Sequence, residues 1–282
     1  MATSEHLAPA QAADHGPAPR WGSEAIDPTG YNIPALKARY ILDHTPPGSA
    51  VLEVGSGDGK FLRTLAAQDA GYRIHGCDIR EWTSPDPAIA FRVMTRDIPY
   101  PDATFDAVLV VDVLEHVDDP EHLLAEIARV LKPTGRFVGF VPIEGERLSL
   151  YTLYRAVLGA DLYVRTKHHV QSFTFAGLRA QLERHFTLDD TSYAYHALGH
   201  VMDATFFAAA HLPRLATFWW RENKYYAGNT PAAKASSFTS SLNKLLGLGN
   251  ALAYLESRAL AKHRIGAVGL LFEARLRSAT MK

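Results

Sequence analysis

The 282-residue chain is long enough for one large α/β domain with an elaboration, or for two small domains. Its 47% hydrophobic and 21% charged residues place it among folded globular proteins, and a formal net charge of -1 without any Lys/Arg run gives no field that would gather nucleic acid. The single cysteine, Cys77, excludes an internal disulfide framework and suits a reducing compartment, so a cytoplasmic protein is expected.

Residues 1–25 include an Ala-, Pro- and His-rich stretch with neither a basic start nor an apolar h-region, and they read as a disordered tail. Ile33, Leu36, Tyr40 and Ile41 share one helical face before Pro46-Pro47-Gly48 ends the pattern. Ala50 to Val54 is a short buried-type strand, Gly55-Ser56-Gly57-Asp58-Gly59 a turn, and Phe61, Leu62, Leu65 and Ala66 the apolar face of the helix that follows. Strands are then predicted at 73–77, ending at Asp78, at 90–93 and at 105–111. A helix over 120–131 and a strand over 135–141 follow, the last after a Lys132-Pro133-Thr134-Gly135 turn. This alternation, with the two strands predicted further on, gives a Rossmann-like α/β fold: a mainly parallel, seven-stranded sheet with helices on both faces.

Beyond Pro142 the pattern gives helices over 147–158 and 174–184, the second with Thr174 as N-cap, then strands over 186–195 and 267–274. The interval between those two strands is too long for a plain loop, and its apolar residues recur at near-helical spacing. The expected division is a core over 26–197, a helical insertion before the last strand over 198–262, and a final antiparallel strand within 263–282. No apolar run is long enough to span a bilayer. A peripheral contact of the insertion with the inner face of a membrane is left open.

Glu53-Val54-Gly55-Ser56-Gly57-Asp58-Gly59 leaves a strand and enters a helix, so its glycines can turn sharply and let a ligand approach the backbone. A dinucleotide fingerprint would need glycine at position 60, where Lys60 stands, and this disfavours a nicotinamide cofactor. The E-x-G-x-G-x-G stretch, with Asp78 closing the second strand, resembles the class I S-adenosylmethionine (SAM)-dependent methyltransferases, particularly the type 11 group. The resemblance runs from about Ile33 to Val141. Asp97-Ile98-Pro99-Tyr100-Pro101-Asp102 with Phe105-Asp106 is similar to that group's D-L-P-F-P-D-x-x-F-D segment, and Leu114-Glu115-His116-Val117 to its LEHV signature.

The resemblance implies SAM as cofactor, held by Glu53, Gly55, Ser56, Gly57, Gly59, Asp78, Asp97, Ile98 and Asp112, with Asp78 on the ribose hydroxyls. An acidic residue common in the family four positions before the Leu-Pro is replaced by Met94, and Asp97 or a backbone carbonyl is expected to substitute. A carboxylate suits two hydroxyl donors independently of any family.

Three residues past strand ends or in acceptor-side loops are candidate bases for a hydroxyl acceptor: His116, Glu144 and His169. His168-His169 precede Val170-Gln171-Ser172-Phe173-Thr174, which resembles the family's H-x-R-x-F-T entry to a late helix. His116 and His169 have packing or capping as the alternative role. No metal is expected, because the thirteen histidines and the single cysteine show no Cys/His ligand spacing. Trp219-Trp220 and Tyr225-Tyr226 read as core or as an apolar pocket, and Arg258, Lys262, His263 and Arg264 as a small basic cluster. The function implied is methyl transfer to a small, apolar or lipid-linked acceptor, with O-methylation favoured. The alternatives are a SAM-binding sensor without catalysis and a C-methyltransferase of a quinone-like substrate.

Overall fold

The structure, a computed structural model, describes residues 25–57, 59–81, 87–159, 169–211 and 237–278; side chains at 158, 205–211 and 237–246 are outside that description. The 1–24 tail, Asp58, His168 and the Trp219 to Tyr226 aromatics lie outside the described residues.

Helix α1 (Ile33–His44) is started by Asn32, whose side chain accepts the Ala35 N–H, and by Pro34, whose missing N–H costs nothing in a first turn. It leads to β1 (Ala50–Val54), α2 (Lys60–Ala66), β2 (Arg73–Asp78), β3 (Ile89–Val93), β4 (Phe105–Val111) and a 3-10 turn at Leu114–His116. The order continues as α3 (Pro120–Val130), β5 (Leu131–Pro142), α4 (Leu150–Leu158), α5 (Phe175–His185), β6 (Phe186–Ala194), α6 (Ala197–His211), α7 (Ser237–Ala259) and β7 (Gly269–Leu276). The long interval between the last two strands therefore carries two helices among its described residues. Thr174 caps α5 as expected, its hydroxyl accepting the Gly177 N–H. None of the described helices is long and apolar enough to cross a membrane.

The sheet has seven strands among the described residues, in the order β3-β2-β1-β4-β5-β7-β6. The pairs from β3 to β5 are parallel, while β7 runs antiparallel to both β5 and β6. β5 begins at Leu131, earlier than the pattern predicts, because Leu131 already pairs with Phe105 before Lys132 to Gly135 bulge out and Arg136 resumes opposite Ala107. Adding a Cβ to Gly135 would bring it 2.7 Å from Leu131 Cδ1, so this bulge requires glycine.

Side chains alternate across the sheet into two cores. Leu52, Val54, Val108 and Val110 meet Leu123, Ile127, Leu178 and Leu182 on one face, covered by α3 and α5. Val51, Ala107 and Leu109 meet Tyr40, Ile41, Leu62 and Leu65 on the other, covered by α1 and α2. Each such aliphatic side chain withdrawn from water contributes about 2 kcal/mol. The strand order reverses between β1 and β4, and the crevice beyond their carboxyl ends is where open α/β sheets bind ligands.

Candidate functional site

The turn after β1 is pinned to β2: the N–H groups of Gly55 and Ser56 both donate to Cys77 O, at 2.8 and 3.1 Å. Gly55 has φ +68° and a Cβ there would lie 2.5 Å from Val113 Cγ2, so left-handed backbone and close packing both demand glycine. Gly57, at φ +50°, is different. A Cβ there would meet nothing within 4 Å, so its outer side is open, while its N–H donates to Asp78 Oδ2 at 2.9 Å. The other Asp78 oxygen accepts the Arg80 N–H at 3.1 Å, which fixes the carboxylate beside the loop with lone pairs to spare for hydroxyl donors. Gly59 is the N-cap of α2, Ser56 and Glu53 are buried, and Glu53 sits two residues before the first glycine. These six predicted residues form one cradle.

Asp97 and Ile98 are directed elsewhere. The Asp97 side chain is 69% exposed and pairs with His122 at the start of α3, at 2.9 Å. Ile98 is buried and its N–H donates to Glu126 Oε2, while Arg129 ties Glu126, Asp102, Ile98 O and Tyr100 O together. Among the described contacts this segment anchors α3. Met94, which donates its N–H to Asp78 O at 2.8 Å, lies closer to the cradle in backbone terms.

Asp112 follows β4 in the left-handed region, at φ +54°, a conformation that costs a non-glycine residue about 1 kcal/mol and is held by its N–H bond to Phe140 O. Its Oδ2 receives the Lys37 ammonium at 2.5 Å, and that ammonium also lies 3.6 Å from the centre of the Phe140 ring. Lys37 was not singled out from sequence, although it stands on the apolar stripe of α1 between Ile33 and Tyr40. A lysine on a buried helical face is itself a signal.

Two backbone contacts and one backbone-to-side-chain bond draw the remaining candidates together. Gln171 N–H donates to Glu115 O, Gly145 N–H donates to Phe173 O, and Phe175 N–H donates to Glu146 Oε1, each at 2.9 Å. The segment entering α5 is thus clamped to the ends of β4 and β5. His169 Nδ1 reaches Glu144 Oε2 at 2.9 Å, with both side chains nearly buried, and the His116 and His169 rings meet edge to face with centres 4.8 Å apart. Glu115, beside them, is 1% exposed. Burial, and secondarily the charge of Asp112, push its carboxyl well above the usual range.

The methyltransferase domain family model of type 11 matches residues 52–139. Those residues are a class I SAM-dependent methyltransferase domain of type 11. A demethylmenaquinone methyltransferase of Tropheryma whipplei (strain Twist) is 38% identical over 99 residues, covering 32% of this chain and 41% of the relative. A 2-methyl-6-phytyl-1,4-hydroquinone methyltransferase of Synechocystis is 37% identical over 106 residues, covering 34% of this chain and 33% of the relative. These alignments span less than half of either relative. Among solved structures, the Haemonchus contortus phosphoethanolamine N-methyltransferase 2 in complex with SAM superposes with a TM-score of 0.50 at 15% identity, over 86% of this chain and 52% of that one. This last likeness concerns the fold alone.

Proposed function

We propose that the chain transfers the methyl group of SAM to a hydroxyl of an apolar, quinol-like small molecule, with Glu144 and His169 as its proton-accepting pair. One observation carries this reading: a nearly buried carboxylate-imidazole pair converges on the switch-point crevice beside the glycine cradle. Val113, which packs on Gly55, is only two residues from Glu115, so the two halves adjoin.

SAM, when bound, supplies an electrophilic methyl group on a sulfonium. The open face of Gly57 and the Asp78 carboxylate fit its adenosyl hydroxyls, and Glu53, Gly55, Ser56 and Gly59 hold that face in place. The site would set an acceptor oxygen in line with that methyl carbon, leaving the carbon-sulfur bonding pair on sulfur, and His169 Nε2 would accept the hydroxyl proton. Glu144 on Nδ1 selects the tautomer with its lone pair at Nε2 and stabilises the imidazolium that results. Alignment and exclusion of water supply the rest of the acceleration.

The names of the two relatives support a quinol-type ring. They also favour a second reading, methylation at a ring carbon, since a deprotonated ring hydroxyl activates both atoms. A peripheral membrane contact belongs to the same proposal: Leu248, Leu252 and Leu255, along one face of α7, are exposed, as expected of a protein that draws its acceptor from lipid. Incubation with methyl-labelled SAM and a short-chain prenylated hydroquinone, followed by organic extraction and NMR, tests both. Label in the organic phase as a methoxy signal is the expected result, a ring-methyl signal favours the second reading, and SAM binding without transfer to any hydroxyl acceptor removes the catalytic proposal.

A further inference from the structure

We propose that Glu115, His116 and His169 form a binding site for a divalent transition-metal cation, with Glu144 holding His169 in the ligating tautomer. This rests on the acceptor site assigned above and names what that site holds. The three side chains offer a carboxylate oxygen and two imidazole nitrogens that all lie within 4.8 Å of one another. Neither carboxylate oxygen of Glu115 has a hydrogen-bond partner among the described residues, although the residue is 1% exposed. A buried carboxylate left in that state is unfavourable unless it is neutral or faces a cation.

Glu144 supplies the independent observation. Its carboxylate engages Nδ1 of His169 at 2.9 Å, the arrangement by which metal-binding histidines are oriented and made more basic through the opposite nitrogen. Ligands around a tetrahedral cation with bonds near 2.1 Å lie about 3.4 Å apart. The present set is wider, spanning up to 4.8 Å with Glu115 Oε1 and His116 Nε2 3.9 Å apart, so the side chains, the part-exposed His116 among them, would draw in on binding. Two imidazoles and one carboxylate suit Zn²⁺ and its imidazole-preferring neighbours over Mg²⁺ or Ca²⁺.

Three protein ligands leave a position for an acceptor oxygen, whose hydroxyl would lose its proton to solvent on coordination. In that state the cation would replace proton transfer to His169, because a ligating imidazole nitrogen has no lone pair left for the proton. The sequence expectation of no metal followed from ligand spacing. These ligands come from two distant segments, which the Gln171 N–H bond to Glu115 O and the Gln171 side-chain bonds to Val117 O and Asp118 O bring together.

The test is calorimetric titration of the full, EDTA-treated chain with ZnCl₂, without SAM. One zinc per chain with micromolar or tighter affinity is expected, weakened about tenfold or more in E115Q, H169A and E144Q, and unchanged in H122A. H116A, at a part-exposed side chain, serves where the buried variants fail to fold, and SAM binding by every variant reports the fold. Absence of stoichiometric zinc binding, or E115Q and H116A titrating like the unaltered chain, overturns the proposal. Methyl transfer in EDTA is measured separately, so turnover without zinc leaves the methyltransferase reading standing with His169 as base.

Discussion

Alanine at Gly55 and at Gly57 separates what the cradle needs for folding from what it needs for binding. Both positions have positive φ, +68° and +50°, so each alanine carries a left-handed penalty of about 1 kcal/mol. At Gly55 the new Cβ would also stand 2.5 Å from Val113 Cγ2 and 3.1 Å from Cγ1, so the valine must leave its rotamer or the strand end must shift, adding about 1 kcal/mol. G55A is therefore expected to lose about 2 kcal/mol, a fall in melting temperature of about 4–8 °C, and G57A about half as much. Val113→Ala should return part of the loss in G55A, because it deletes the two atoms struck. Affinity for SAM should follow the opposite order of specificity. The Cβ of G57A enters open space where the cofactor is expected and should weaken binding at least tenfold while costing little stability. Thermal melting and calorimetric titration with SAM measure the two effects. If G57A binds SAM as the unaltered chain does, the open face of the loop is not the cofactor's surface and the assignment of the cradle fails.

Asp78→Ala leaves the Gly57 and Arg80 N–H groups without their carboxylate and should weaken SAM binding by tenfold or more, read by the same titration; unchanged affinity would reduce Asp78 to a turn residue. His169→Ala should lower methyl-transfer turnover by about a hundredfold or more with SAM affinity retained, and Glu144→Gln less severely, whereas equal loss of SAM binding would point to collapse of the loop. For Asp106, burial works to raise the carboxyl, but the bond from Lys132 and the Ala50 N–H outweigh it and hold it below its ordinary value. A depressed carboxyl contributes stability that is present above its unfolded value, about 3.9, and is lost as pH falls through the folded one. The melting-temperature difference between the unaltered chain and Lys132→Met should therefore be full at pH 7 and shrink below about pH 4, and a difference independent of pH would assign the loss to packing of the lysine stem.

Periodicity along single elements made most of the fold legible. The near-continuous apolar run of β4 and the helical spacing in α3 name their own burial, and Thr174 before α5 names its own cap. Where two segments interact, the pattern is silent. β5 starts four residues early because Leu131 finds Phe105 across the sheet, a partner that no local turn signal at Lys132 to Gly135 reveals. Asp97 carries the right chemistry to substitute for the acidic residue that Met94 replaces, yet His122, twenty-five residues on, holds its carboxylate.

The acceptor side shows the same division more sharply. His116, Glu144 and His169 were selected one at a time, for standing past strand ends, and the clamp between the α5 entry and the ends of β4 and β5 makes them a cluster. Glu115 and Lys37 escaped selection because each looks ordinary in sequence: one inside a family signature, the other inside an amphipathic helix. Their meaning is relational. Lys37 is tolerable in a buried stripe only because Asp112 meets it, and Asp112 adopts left-handed backbone in a position where Phe140 both accepts its N–H and underlies the lysine. That pairing occupies Asp112, which leaves Glu115 to face the two histidines, so the ion pair on one side of the crevice defines what the other side has left to bind.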